Sequence, residues 1–169
     1  RLRKELKVPD QDAPESLIRP GGPKSEPGAK KKKADAKWGG RADYQAYKAR
    51  TAQIESSGGQ SSSNIYQFQP STWARLGGGD LGDRNLQEQR MDQLTTDNMR
   101  QLTYALGRSP TPAELYLAHQ QGAGGAAALL GNPNAPASSV LSADALRLNG
   151  GNAGMTAGDF AGKWTGKFG

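Results

Sequence analysis

The stretch Thr111-Pro112-Ala113-Glu114-Leu115-Tyr116-Leu117-Ala118-His119-Gln120-Gln121-Gly122 reads as a helix from its first residue to its stop. Thr111 offers a capping hydroxyl. Pro112 takes the first helical position, where its missing N–H costs nothing. Glu114 follows the cap by three, as a capping box requires. Leu115 to Gln121 continues without a breaker, and Gly122 ends the run. The same grammar extends outward. Upstream, Arg41 to Ser57 is Ala-rich and Pro-free, with Tyr44, Tyr47, Thr51 and Ile54 on one helical face, and Ser57-Gly58-Gly59 closes it. Gln60 to Asn64 is a polar loop, and Ile65 to Phe68 is too short to type. Pro70 opens a short helix carrying Trp73 and Leu76, closed by Gly77-Gly78-Gly79. Leu86, Met91, Leu94, Met99, Leu102 and Leu106 predict one or two helices ending at Gly107.

Downstream, Gly124 to Leu130 reads as a separate helix before Asn132-Pro133. Ser142 is a candidate cap for a helix through Leu146. Thr156 and Asp159 open a last helix, in which Phe160, Trp164 and Phe168 recur on one face. No alternating run of useful length exists. The expected fold class is mainly α, a helical domain over 41–169 preceded by an extended basic arm at 1–40.

Composition supports that division. Hydrophobic residues make up only 34%, and 33 of 169 residues are Gly or Pro, so one core over the whole length is not expected. Residues 1–50 hold 14 Lys/Arg against 7 Asp/Glu, a net +7; residues 51–169 hold 8 against 9, a net −1. The first segment also carries Lys30-Lys31-Lys32-Lys33 and few apolar side chains to offset ordering entropy. It reads as a linker, or as a tail for an acidic partner, nucleic acid or an anionic envelope polymer. Aromatics are absent before Trp38, which argues against base stacking along it. No run is long and apolar enough for a membrane span, and no signal-peptide pattern is expected. The absence of Cys excludes disulfides and thiolate chemistry, and a single His, His119, excludes a His-rich zinc site. Asp80 and Asp83 lack the alternating acids of a calcium loop. No metal and no cofactor are expected.

Two blocks carry a resemblance. Ile54-Glu55-Ser56-Ser57-Gly58, followed by Tyr66-Gln67-Phe68-Gln69-Pro70-Ser71-Thr72-Trp73, resembles the soluble lytic transglycosylase family. Ala118-His119-Gln120-Gln121-Gly122-Ala123-Gly124 is similar to a later family motif, roughly Ala-Tyr-Asn-Ala-Gly-Pro-Gly, and the run Pro112 to Leu130 looks like the version in phage virions. The resemblance covers about 45–169. It implies a lysozyme-like fold and cleavage of the MurNAc–GlcNAc β-1,4 bond of peptidoglycan. It implies Glu55 as the catalytic acid, and Ser56, Gln67, Phe68, Tyr116, His119 and Gln120 at the substrate. It also implies a virion protein acting in the host periplasm during genome entry, with bacterial periplasm as the alternative; its partners would be the glycan strand and neighbouring tail or ejected proteins. The family's Gly-Ala-x-Gly loop is missing: only Gly59 to Ile65 lies between the blocks. His119-Gln120 replaces the family's Tyr-Asn pair.

The residues bear on the reaction type. Glycosidases commonly use two carboxylates. After Glu55 the next acid is Asp80, so 56–79 offers no second one. One carboxyl suffices if it protonates the glycosidic oxygen and then takes the proton of the sugar's own 6-hydroxyl, giving a 1,6-anhydro product. The alternatives are a muramidase hydrolysing the same bond, with Asp80, Asp83 or Asp97 folded back as base, and a degenerate lysozyme-like structural or ejected virion protein.

Overall fold

A computed structural model describes residues 41–169. The expected basic arm at 1–40 lies outside the described residues. Among those described, the elements run α1 (Arg41–Ser56), α2 (Pro70–Arg75), α3 (Arg84–Leu106), α4 (Pro112–Gly131), a 3₁₀ turn (Ala137–Ser139), α5 (Ala143–Leu148) and α6 (Ala157–Phe168). The described residues form no strand; an isolated bridge joins Pro136 to Thr156. The fold is mainly α, as expected.

The caps explain most boundaries. Thr111 accepts the Glu114 N–H at 3.2 Å, and Glu114 returns a carboxylate to the Thr111 N–H at 2.8 Å. Thr156 and Asp159 do the same for α6. Ser142 caps α5 through the Ala145 N–H. Thr111 is exposed, so Thr111→Ala removes the cap without opening a cavity. That variant is expected to lose about 1 kcal/mol in chemical denaturation.

Two further elements follow the reading of the sequence. The hydrophobic series 86–106 forms one helix of 23 residues, begun by Asp83, whose carboxylate accepts the Asn85 and Leu86 N–H groups. Gly122 stops the first helical segment of α4, and a second segment follows it, as read. It takes φ 77° and ψ 156° inside α4, a conformation glycine adopts freely, so the helix kinks and resumes.

α4 is the central element, with α3 and α6 packed against it. Every residue from Leu115 to Gln121 is buried. A helix covered on all sides normally reads apolar. Here His119, Gln120 and Gln121 share that burial, so polar chemistry is placed in the middle of the domain. α6 presents Phe160 and Trp164 to the core, and the Phe168 ring lies 5.6 Å from the rings of both Tyr47 and Tyr116. Arg50 on α1 donates to the carbonyls of Lys167 and Phe168, tying α1 to the end of α6.

Candidate active site

α1 ends at Ser56, which leaves Glu55 half-buried on its last turn. Tyr116 and Gln120 are four apart on α4 and therefore share a face. Both reach the Glu55 carboxyl. The Tyr116 hydroxyl donates to Glu55 Oε1 at 3.0 Å. Gln120 Nε2 donates to the same oxygen and, at 2.9 Å, to the Tyr116 hydroxyl. The three groups close a triangle whose two donor residues are buried and whose glutamate is half-buried. Buried polar groups held by mutual hydrogen bonds have little freedom, so the carboxyl is oriented by a rigid partner set.

His119 faces another way. Its Nε2 lies 2.7 Å from the Tyr66 carbonyl. A carbonyl only accepts, so this nitrogen carries the proton. The ring stacks on Tyr116 at 6.4 Å, and its position pins the 64–68 loop to α4. Phe68 is buried among Trp73, Tyr66 and His119, with ring centroids 5.1, 6.0 and 6.5 Å away. It forms part of the core beneath the loop.

Ser56 is also buried. Its hydroxyl donates to the Ile65 carbonyl at 2.6 Å and accepts the Gly59 N–H at 2.9 Å, which closes the loop back onto α1. Gln67 is half-buried and adopts φ 52°, a left-handed conformation unusual for a residue with a Cβ. Its amide donates to the Asn64 carbonyl at 2.8 Å. The structure thus brings Tyr116 and Gln120 onto Glu55. It places Ser56, Phe68 and His119 in the frame around it, and Gln67 on the strained outer turn of the loop.

That strain is measurable. Gln67→Ala and Gln67→Gly both lose the side-chain bond to Asn64 and keep the backbone one, but only Ala keeps a Cβ in the left-handed region. Gln67→Gly is expected to be the more stable of the two by about 1 kcal/mol, the reverse of the usual Ala-over-Gly order. Urea titration of the pair decides it.

Several framing residues escaped the reading of the sequence. Asn64 bonds both the N–H and the carbonyl of Phe68. Gln87 on α3 is fully buried and bonds to the loop backbone. Glu88 accepts from Lys48 and from the Tyr66 hydroxyl, each at 2.6 Å. Asp92 accepts from Lys48 and from the Tyr44 hydroxyl. Burial pulls the Lys48 ammonium down, but Glu88 and Asp92 outweigh it and hold it above its usual range. Burial, followed by the bond to Glu88, pushes the Tyr66 phenol well above its usual range, so it stays a donor. Separations of 22 residues or more left the loop and α1 contacts of Gln87, Glu88 and Asp92 without a local signal.

A cavity of about 490 Å³ opens elsewhere, lined by Asp43, Tyr47, Arg50, Met99, Pro110 and Phe168 among others. None of the expected site residues lines it. Among the described residues no group of three or more His, Asp or Glu could hold a metal ion, and no helix is long and apolar enough to cross a membrane. No protein-family model matches the chain, and no curated protein matches it.

Proposed function

We propose that this chain is a lysozyme-like peptidoglycan lytic transglycosylase in which Glu55 is the catalytic acid and base. The observation that carries the reading is the convergence of Tyr116 and Gln120 on one oxygen of a half-buried carboxyl, at the end of the helix that bears the Glu-Ser-Ser-Gly block. In the proposed reaction the Glu55 carboxyl gives its proton to the glycosidic oxygen as the bond to C1 breaks. The sugar's acetamide stabilises C1. Glu55, now a carboxylate, takes the proton of the 6-hydroxyl of the same sugar as that oxygen attacks C1. The proton balance closes on one residue, and the attack is intramolecular. Tyr116 and Gln120 orient the carboxyl through both steps.

The carboxylates that could serve a hydrolytic alternative are engaged elsewhere, which favours the anhydro product. Asp80 accepts the Gly82 N–H at 2.8 Å within its own turn. Asp83 caps α3. Asp97 pairs with Arg100 at 3.2 Å. Asp43 lies twelve residues before Glu55 on the same helix, about 18 Å away along its axis. The proposed setting is a phage virion acting on the host periplasmic wall, with the Lys-rich segment at 1–40 docking on an anionic polymer or a virion neighbour; its positive charge supports that role. The test is zymography on purified sacculi with the full chain beside Glu55→Gln. Clearing by the wild type alone supports the reading, and equal clearing or none by both removes it.

A further inference from the structure

The peptide backbone of Ile65 is held from two helices. Its N–H donates to Gln87 Oε1 at 2.8 Å, from α3. Its carbonyl accepts from Ser56 Oγ at 2.6 Å, from α1. Ser56 is the neighbour of Glu55. One residue further on, the Tyr66 carbonyl accepts from His119, the neighbour of Gln120, which donates to Glu55. Both routes from the Ile65–Tyr66 backbone therefore end beside the carboxyl or beside its donor.

Gln87 fixes the position of this junction. It is fully buried, and Nε2 donates to the carbonyls of Ser63 at 2.7 Å and Leu81 at 2.6 Å. One amide thus satisfies an N–H and two carbonyls on the two loops that flank α2. The task needs one acceptor and two donors in a plane. A carboxylate supplies no donor, and an apolar side chain would leave the buried Ile65 N–H unpaired and take the donor from the Ser63 and Leu81 carbonyls. The next residue on α3, Glu88, holds the Tyr66 hydroxyl, so α3 grips the loop at two successive points.

Resting on the proposed role of Glu55, we propose that Gln87 is a positioning residue for glycan cleavage: its amide sets the Ser63–Tyr66 backbone and, through Ser56 and His119, the direction of the Glu55 carboxyl. It does not touch the sugar, so its loss moves the chemical step more than binding.

The experiment measures kcat and KM on soluble glycan fragments of peptidoglycan for the full chain, well below the melting temperature of each variant. Gln87→Met keeps length and removes every hydrogen bond. Gln87→Glu keeps the acceptor for Ile65. Gln87→Asn keeps the amide but withdraws it by one methylene, and it stands in if Gln87→Met does not fold. Folded Gln87→Met is expected to lose about 10- to 100-fold in kcat with KM changed less than about threefold, since a misplacement of about 1 Å costs that much. Gln87→Glu and Gln87→Asn are expected to lose less. Ser56→Ala acts on the same Ile65 peptide, so the Ser56→Ala/Gln87→Met double variant is expected to lose less than the product of the single losses. Wild-type kcat in the folded Gln87 variants, or losses that simply multiply, would overturn the proposal. A wild-type chain that cleaves nothing, or Glu55→Gln cleaving as well as wild type, removes the underlying reading instead and the positioning role with it.

Discussion

Glu55→Gln is expected to lower glycan cleavage by about 10²–10⁴-fold, the usual contribution of a positioned acid or base. The substitution nearly conserves shape, and the amide oxygen still accepts from Tyr116 and Gln120 where Oε1 does now. What disappears is a proton that can be given and retaken. Since Glu55 reaches the surface and both its donors stay in place, the helical circular dichroism signal and melting temperature are expected to change little. Turbidity of sacculus suspensions measures the loss, and dichroism checks the fold. Retained lysis in a folded variant would take Glu55 out of the role and leave its two donors without a catalytic purpose.

The second large effect concerns stability. Phe160 is completely buried on the inner face of α6. Its surroundings are tight: a Cβ built on Gly151 would come within 3.0 Å of the Phe160 ring and 2.9 Å of Leu146. Such a site has little room to collapse, so Phe160→Ala leaves a cavity. A loss of about 3–5 kcal/mol is expected. For a domain of this size the melting temperature should fall on the order of 10–20 °C. Phe168→Ala serves as comparison. That ring is only partly buried at the end of the same helix, so its removal should cost less than half as much. Thermal melts of the two variants measure the difference. Equal losses would mean that the core does not lie where the burial of Phe160 puts it.

What was legible in the sequence was local. The Thr111-Pro112-Ala113-Glu114 start, the Thr156–Asp159 box and the aromatic stripe of α6 depend on residues three or four apart, and each forms as read. The break at Gly122 was legible too. The glycine announced a break, and its non-helical φ and ψ divide α4 into two segments there. The candidate site was legible in its residues but not in their roles. Spacing alone puts Tyr116 and Gln120 on one face; that this face meets Glu55, 61 and 65 residues earlier, is set by the fold. Ser56 and His119 lie beside the residues of the triangle in the chain, yet their polar atoms turn to the loop backbone. Gln87 gave no signal at all. A glutamine in an amphipathic helix usually faces water, and only the unpaired backbone of a short loop 22 residues away explains why this one is buried.

The most direct test of a single working carboxyl is the mass of the products. Purified sacculi digested with the full chain should release muropeptides with 1,6-anhydro ends, each lighter by one water than its hydrolysed counterpart, because the sugar's 6-hydroxyl takes the place of water at C1. Mass spectrometry of the digest reads that difference on every chain end. Anhydro ends throughout are the expected result. A digest holding only reducing ends would mean that water attacks C1, and that a second group beside Glu55 activates it.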